Sequence, residues 1–381
     1  MWVSSPGYEK IMLGKAIFGK KKDGVVTPEL VRAELSKVMD PDLHQDIVSL
    51  GMISDISVQD AKVHFKLTLT TPACPVKEHI ESECRQLVGA LPGVEEVDME
   101  STAAVATQRK APGREPIEGI KNIIAITSGK GGVGKTTVAV NLAVALAHLG
   151  ARVGILDSDI TGPNVPLMLG VDDYQPKAKD NHIVPAESFG IKSISMAFFV
   201  AKDTPIIWRG PMLDKAIRQF LRDVEWGELD YLIVDMPPGT GDAQLTFVQA
   251  TSLAGGVIVT TPQDVALLDG RKGLAMFQQM QVPVLGFVEN MSSFICPHCQ
   301  KSSDIFSHGG GKRLAEETGV PFLGEIPIDL SIREGGDAGC PITATDISHP
   351  VSQAFIALAK QVAAQISIAA LAPAELSGAT S

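Results

Sequence analysis

Residues 127–137 read "TSGKGGVGKTT" and lie between an apolar stretch, "NIIAITS", and a helix-like stretch, "TTVAVNLAVALAHLG". Within them Gly129, Gly134, Lys135 and Thr136 fit the pattern G-x-x-x-x-G-K-[ST] in the strand, turn and helix context that gives the pattern its meaning. Glycines let main-chain N–H groups curl around phosphates, and the helix N-terminus adds a partial positive charge. The stretch therefore predicts a nucleotide-binding loop in which Lys135 contacts the β- and γ-phosphates and the Thr136 hydroxyl ligates Mg²⁺.

The loop holds a second lysine, Lys130, that the pattern does not require. Lys130 comes too early to duplicate Lys135, so we expect it to point away from the γ-phosphate of its own chain. It would instead neutralise charge on the nucleotide of a partner chain, as trans-acting cations do in other phosphoryl-transfer systems. Both lysines are therefore predicted to be catalytic. The predicted nucleotide-binding residues of the loop are Gly129, Lys130, Gly131, Gly132, Val133, Gly134, Lys135, Thr136 and Thr137.

Downstream of the loop, short apolar runs alternate with segments of helix length. The runs read "RVGILD", "YLIVD", "GVIVTT", "VLGFVE" and "FLGEI". Continuous Val, Ile and Leu strands that alternate with helices indicate an α/β fold with a doubly wound, mostly parallel sheet covered on both faces. Binding sites in such folds lie at the carboxyl ends of the strands. We predict that this domain spans residues 120–368.

A smaller α+β domain is predicted for residues 24–103. Thr27 is placed to cap a helix that runs to Met39, and "MISDISVQ" and "KVHFKLTLT" alternate as half-buried strands. A second helix is expected over 75–90, followed by a strand in "GVEEVDME". Residues 104–119 lack periodicity and are rich in proline and glycine, which indicates a linker.

Composition limits the classes of partner and compartment. The formal charge is −11, from 33 basic and 44 acidic residues, which disfavours both a nucleic-acid backbone and an anionic membrane as partners. No uninterrupted run reaches the 18 apolar residues typical of a spanning helix, and the last helix-like stretch carries Lys360 as its only cation. Five cysteines are too few for a disulfide scaffold, so we expect a reducing, cytoplasmic environment.

The first 22 residues are rich in lysine around a short, mixed apolar stretch. They show neither the apolar core and cleavage site of a secretory signal nor the Arg and Ser content of an organellar transit peptide. We expect an over-extended start, with Met12 as another possible initiator.

Carboxylates follow two of the predicted strands. Asp157 and Asp159 lie in "ILDSDITGPNVP", and Asp235 lies in "LIVDMPPGTGD". Any one of them is equally well explained as a turn or helix-capping residue, whereas carboxylates at strand ends also hold the water shell of Mg²⁺ and orient an attacking water. The short stretch "FVENMS" contributes an amide, Asn290, near a further strand end.

Together with "KGGVGKT", these stretches resemble the deviant Walker A, switch I and Walker B segments of the MinD/ParA class of P-loop ATPases, which act as nucleotide-sandwich dimers. The resemblance implies that Asp159 orients the attacking water and that Asp157 and Asp235 serve Mg²⁺. It also implies that Asn290 hydrogen-bonds the adenine base of ATP, since an amide pairs with both a donor and an acceptor.

Cys296 and Cys299 form a CxxC loop in "SFICPHCQKSSDIF". Two thiolates are half of the set that zinc or a [4Fe–4S] cluster takes, and the sequence has no second close pair. A twofold axis supplies the missing pair, because it brings two identical loops together in a homodimer. A structural zinc half-site or a redox pair stays open as an alternative.

The motifs "KGGVGKT", "DSDITGPNVP", "DMPPGTGD" and "CPHC", in this order, resemble the Mrp/ApbC family of iron–sulfur cluster carrier ATPases over about residues 118–365. "DPDLHQDIVSLGMI" and "TPACP" are similar to the small iron–sulfur assembly domain that many members carry. The resemblance implies a slow, regulatory ATPase with a labile [4Fe–4S] cluster, bridged across the homodimer and passed to apo iron–sulfur proteins, and cluster-assembly scaffolds as partners. A MinD/ParA-like positioning ATPase, or an ATPase that delivers another metal such as nickel or zinc, remains the alternative.

The remaining candidate ligands have simpler interpretations. Cys74 precedes a predicted helix, whose N-terminus would stabilise a thiolate, so it is either an accessory cluster or partner contact or a structural cysteine. We expect Cys84 and Cys340 to be packing residues and His298 to face solvent.

Overall fold

The computed structural model describes residues 25–108, 114–159, 162–180, 182–199, 210–239, 241–299 and 301–371. The expectations for the first 22 residues therefore lie outside the described part of the chain.

The N-terminal unit is a three-stranded sheet with two helices. Its elements are α1 (Pro28–Leu35), β1 (Met39–Asp40), β2 (Gln45–Asp46), β3 (Ile53–Gln59), β4 (Lys62–Leu69), α2 (Lys77–Gly89) and β5 (Glu96–Ala103). β3 runs antiparallel and β5 parallel to the central β4. The Thr27 hydroxyl accepts a hydrogen bond from Leu30 N at 3.3 Å, so the predicted cap is confirmed. α1 ends before the predicted Met39, because the chain turns to bury Val38 and to pair β1 with β2.

The C-terminal unit is built on a nine-stranded sheet. Its strands are β6 (Ile120–Thr127), β7 (Val153–Asp157), β10 (Ala186–Ser188), β11 (Ile191–Ser195), β12 (Leu229–Asp235), β13 (Gly255–Thr260), β14 (Val284–Ile295), β15 (Ser302–Ser303) and β16 (Phe322–Ile328); a separate hairpin comprises β8 (Ala178–Lys179) and β9 (His182–Ile183). The spatial order is β10-β11-β7-β12-β6-β13-β14, and β14 pairs with both β15 and β16. Only β10 and β15 pair antiparallel within the described sheet. The predicted fold class is confirmed.

Helices cover both faces of this sheet and enclose one apolar core on each face. They are α3 (Lys135–His148), α4 (Val165–Met168), α5 (Gly210–Arg222), α6 (Asp242–Ala250), α7 (Asp264–Gln279), α8 (Gly310–Thr318), α9 (Leu330–Asp337), α10 (Ile342–Thr345) and α11 (Pro350–Leu371). α3 and α11 pack on one face, whereas α5, α6 and α7 pack on the other. Because six parallel pairings align the strands, the carboxyl ends of β6, β7 and β12 meet at one edge.

α11 is the one helix among the described residues that is long and apolar enough to cross a membrane by length and composition. Half of its most apolar 18-residue window is buried inside the protein, and core helices pass the same test. Phe355, Val362 and Ile366 are among the side chains that α11 buries in the core shared with α3, which accounts for its composition.

The two units contact each other through the segment after β4. The hydroxyls of Thr71 and Tyr231 lie 2.9 Å apart in a buried hydrogen bond, and Ala73 belongs to the core beneath α3. The first part of the predicted linker is packed as well, because the Gln108 side chain donates to Ser252 O and accepts from Ile123 N. The units are therefore held by buried contacts rather than by a free tether.

We expect Tyr231→Phe to lower the free energy of unfolding by about 1 kcal/mol, because it removes the buried hydrogen bond to Thr71. Thr71→Val should lower it further, because the Thr71 hydroxyl also accepts a hydrogen bond from Ala73 N at 3.1 Å. The double variant should lose much less than the sum, since both changes remove the same hydrogen bond. Urea unfolding of the four proteins checks this, and strictly additive losses would contradict the contact.

Candidate functional site

The phosphate loop joins the end of β6 to the start of α3, as predicted. Gly132 and Gly134 have φ of 81° and 79°, the left-handed region that favours glycine. Gly129 is required for a different reason: a Cβ there would lie 2.1 Å from the carbonyl of Asp269 in α7. The loop is thus shaped partly by its own turns and partly by close packing against α7.

A buried ion pair lies beneath the loop. Lys135 Nζ donates to Asp235 Oδ1 at 2.6 Å, and the Thr136 hydroxyl donates to Asp235 Oδ2 at 2.7 Å. Lys135 is 6% exposed and Asp235 is fully buried. The lysine, the hydroxyl and the carboxylate that were predicted separately are therefore in direct contact. A hydroxyl and a carboxylate side by side at a glycine-lined helix start fit the Mg²⁺ of a bound nucleotide.

Asp157 is buried at the end of β7, next to β12. Its carboxylate accepts hydrogen bonds from Asp159 N at 3.1 Å, Val165 N at 3.2 Å and the Ser195 hydroxyl at 3.0 Å. Burial, and then the charge of Asp235, raise the pKa of Asp157 to about 8. Asp157 thus holds both ends of the segment after β7, and its raised pKa favours the protonated state in the nucleotide-free protein, although Lys135 acts in the opposite direction.

This raised pKa predicts a pH dependence of stability for the nucleotide-free protein. Between the ordinary value of 3.8 and about 8, the folded state keeps a proton on Asp157 that the unfolded state has released. The free energy of unfolding should therefore fall as pH rises through this window and level off above it. Asp157→Asn removes the group, so the variant should show a flatter slope, as measured by urea unfolding at several pH values.

Asp230→Asn is the matched control. The pKa of Asp230 falls to about 2, through its bonds to Arg152 and Lys121 that outweigh the effect of burial. It is ionised in both states across the same window, so its loss should shift stability without changing the slope. An unchanged slope in Asp157→Asn would show that Asp157 is ionised in the folded protein.

A cavity of about 770 Å³ opens above the loop. The predicted residues that line it are Gly131, Gly132, Gly134, Lys135, Thr136, Thr137, Asp159 and Asn290. Asp157 and Asp235 lie buried beneath it, and Gly129, Lys130 and Val133 lie outside its lining. Lys130 is thus not part of the lining of this cavity, and its action on a partner's nucleotide stays a prediction.

The opposite wall of the cavity was not predicted. It comes from the end of β16 and from α9, and its residues are Pro327, Ile328, Asp329, Ile332, Arg333, Gly336 and Asp337. "EIPIDLSIREGGD" begins within β16, the last strand of the sheet, and continues past its carboxyl end, where binding sites of parallel sheets lie. Ser195 escapes prediction from the sequence, because β11, "IKSIS", lacks the continuous apolar run of the other parallel strands.

Asn290 lies where β14 passes the phosphate loop. Its amide nitrogen donates to Val133 O at 2.8 Å, and a Cβ on Gly134 would lie 2.2 Å from that nitrogen. One hydrogen bond leaves a second N–H and a carbonyl oxygen on the amide for a base. The role of Asn290 in reading adenine stays a prediction, to which the structure adds a direct contact with the loop.

The CxxC loop forms the tip of a β-hairpin. β14 continues past Asn290 to pair Phe294 and Ile295 with β15, and Cys296 N donates to Lys301 O at 3.0 Å. The main-chain N–H groups of Cys299 and His298, followed by the Cys299 thiol, lower the pKa of Cys296. Cys299 and His298 are exposed, as expected for His298. The tip therefore presents two accessible sulfurs, one of them favoured as a thiolate, which is the form that binds metal.

Burial favours the structural interpretation of Cys74, whereas the expectation that Cys340 is a packing residue is wrong. Cys74 is buried in the small core, and burial raises its pKa to about 11, so the helix start does not produce a thiolate there. Cys340 is exposed in the turn after α9 rather than packed. Cys84 is fully buried, which confirms its packing role, and burial raises its pKa to about 12.

Comparison with known proteins agrees with this geometry. The family described as ParA, NUBPL iron-transfer P-loop NTPase, matches residues 119–363, and the family described as iron-sulfur cluster assembly protein matches residues 28–99. A Synechocystis protein named iron-sulfur cluster carrier protein is 52% identical over 352 residues, covering 91% of this chain and 100% of the relative. An Escherichia coli K12 protein of the same name is 41% identical over 345 residues, covering 89% and 92%.

A solved structure extends the likeness to three dimensions. The nucleotide-binding protein from Archaeoglobus fulgidus, in complex with ADP, is 39% identical, with a TM-score of 0.55, and covers 62% of this chain and 92% of its own. The resemblance predicted from the motifs is confirmed. The chain belongs to the NUBPL iron-transfer P-loop NTPase family and carries an iron–sulfur cluster assembly unit ahead of the NTPase domain.

Proposed function

We propose that this protein is an ATP-hydrolysing carrier of iron–sulfur clusters in the cytoplasm. It holds a [4Fe–4S] cluster as cargo, bridged between the CxxC tips of two identical chains. Its partners are cluster-assembly scaffolds and the apo iron–sulfur proteins to which it passes the cluster. The observation that carries the proposal is the hairpin: two accessible sulfurs lie at the end of the strand that also touches the phosphate loop. The names of the two relatives support the choice of cargo.

A homodimer supplies the missing ligands. Cys296 and Cys299 provide two sulfurs per chain, whereas a [4Fe–4S] cluster takes four. The other cysteines within the described ranges lie in other elements, namely Cys74 before α2, Cys84 within α2 and Cys340 after α9. Two copies of the exposed tip, related by a twofold axis, complete the set and leave the cluster near the surface for transfer.

Two segments of the chain connect the nucleotide cavity with the CxxC tip, so a bound nucleotide can influence the cluster site. β14 links Asn290 to Cys296, and the segment that returns from the tip places Ile305 and Phe306 in the cavity lining. A nucleotide that contacts these residues biases the position of the hairpin, and hydrolysis reverses the bias.

Several side chains of this protein have separate roles in ATP hydrolysis. Lys135 holds the β- and γ-phosphates, and Thr136 and Asp235 provide the Mg²⁺ site with Asp157 behind them. Asp159, in the cavity lining, orients the attacking water. Mg²⁺ supplies charge neutralisation between the phosphates when bound. Lys130 of the partner chain neutralises charge on the γ-phosphate.

The test is anaerobic reconstitution of the whole protein with iron and sulfide, followed by measurement of mass and metal content. We expect about four iron and four sulfide ions per two chains, in a species of dimer mass. Adding ATP and Mg²⁺ should change the rate of cluster transfer to an apo-ferredoxin. A single chain that retains a full cluster would overturn the bridged site.

A further inference from the structure

A second group of potential metal ligands lies apart from both the cavity lining and the CxxC tip. Glu289, His308 and Glu325 each place one ligand atom within 4.8 Å of the others. Glu289 and Glu325 are register partners on the neighbouring parallel strands β14 and β16. His308 comes from the segment that returns from the CxxC tip, and its Nε2 lies 3.9 Å from Glu325 Oε2. Three separate chain segments thus converge on one point.

The charges at this point are not balanced by the contacts of the described residues. Glu289 is fully buried, and its carboxylate accepts hydrogen bonds from Gly309 N and Gly311 N at the start of α8. These two N–H groups stabilise the negative charge of the Glu289 carboxylate. Glu325 has His308 as its ion-pair partner, but the Nε2 to Oε2 distance of 3.9 Å is too long for a direct hydrogen bond. Like charges directly opposite on neighbouring strands destabilise a sheet, and a cation bound between them would offset this repulsion.

We propose that Glu289, His308 and Glu325 bind one divalent first-row metal ion, of which Fe²⁺ and Mn²⁺ fit the ligands best. One imidazole nitrogen and two carboxylate oxygens form a donor set of mixed hardness that suits these ions better than the soft ions that prefer thiolates. When metal–ligand bonds are about 2.1 Å long, the ligand atoms lie roughly 3 to 4 Å from one another. The three ligand atoms lie within 4.8 Å of one another here, so small side-chain movements bring them to that spacing. His308 and Glu325 are each 48% exposed, so the ion has a path from solvent.

A bound ion would link the hairpin that carries Cys296 and Cys299 to the side of the nucleotide cavity that β16 and α9 form. It joins the segment that returns from Cys299 to β16, the strand that leads into Pro327 and Asp329 of the cavity. Glu289 also directly precedes Asn290. The site needs neither the cluster nor the dimer, so it stands even if the proposed cargo is wrong.

Mn²⁺ binding to the full-length, nucleotide-free protein tests the site by electron paramagnetic resonance. Cys296→Ala/Cys299→Ala serves as the background, so that no hairpin thiolate competes. We expect one Mn²⁺ per chain, with affinity at least about tenfold weaker in Glu325→Gln and in His308→Ala. Fe²⁺ should displace the Mn²⁺. Glu289→Gln is not used, because that carboxylate also holds the start of α8.

Two matched variants separate this site from other carboxylates. Glu317→Gln changes an exposed glutamate of α8 that pairs with Arg271, and Thr136→Ala changes the predicted Mg²⁺ ligand. Both should leave Mn²⁺ affinity unchanged. Equal affinity in the Cys296→Ala/Cys299→Ala background with and without Glu325→Gln or His308→Ala would overturn the proposal, as would loss of the bound ion in Thr136→Ala alone.

Discussion

Replacing Cys296 or Cys299 with alanine is expected to reduce the iron and sulfide retained after anaerobic reconstitution at least about tenfold. Each replacement removes two of the four sulfurs of a bridged cluster, because the change occurs in both chains. The Cys296 thiolate also loses a supporting hydrogen bond when Cys299 is changed, since the Cys299 thiol contributes to its lowered pKa. Iron and sulfide assays with the visible absorption of the cluster measure the loss.

Cys340→Ala is the matched control, because Cys340 is exposed like Cys299 but lies after α9, away from the hairpin. It should retain a full cluster. Secondary structure and ADP binding should stay unchanged in all three variants, since the hairpin tip is not part of either core. A full cluster in Cys296→Ala would remove the hairpin from consideration as the cargo site.

Lys130→Ala is expected to lower ATP hydrolysis by about a hundredfold to a thousandfold while leaving ADP affinity nearly unchanged. Cations that enter a phosphoryl-transfer site from outside act mainly in the transition state, with effects of this size or larger. Lys135→Ala should lose both hydrolysis and binding, because its ammonium group lies under the cavity and pairs with Asp235. Steady-state hydrolysis and ADP titration distinguish the two lysines.

Mixing the two variants tests whether Lys130 acts on the partner's nucleotide. In a mixed dimer, the Lys130→Ala chain keeps an intact phosphate-binding Lys135, and its Lys135→Ala partner supplies Lys130. The mixture should therefore recover ATP hydrolysis that neither variant shows alone. Lys272→Ala, at an exposed lysine of α7 that pairs with Asp269, controls for loss of surface charge near the loop. No recovery on mixing would mean that Lys130 acts within its own chain.

The parts of the site that follow from local rules were predictable from the sequence. The phosphate loop is a single continuous motif, so its strand, its turn and the start of α3 were all expected. Asp157 and Asp235 follow apolar strands, and the parallel-sheet rule brings such ends together. The contact between Lys135 and Asp235 follows from the motif and the sheet order combined.

Other features depend on packing that no local pattern encodes. The burial of Cys74 arises from the core of the small unit, which outweighs the helix start that follows it. Cys340 resembles a core residue in sequence but lies in an exposed turn. Glu289, His308 and Glu325 come from three segments, so their convergence requires the register of β14 with β16.

β14 is not a uniform strand along its length. Its pairing with β16 moves from Asn290↔Ile326 to Phe294↔Ile328, so four steps along β14 oppose two along β16, and Met291 adopts a φ of 57°. Extra residues of this kind bend a strand and interrupt its ladder. The irregular stretch therefore lies between the part of β14 that holds Asn290 against the phosphate loop and the end that leads to Cys296. We expect the two parts to be mechanically separable, so that the thiol end can tilt while the Asn290 contact stays intact.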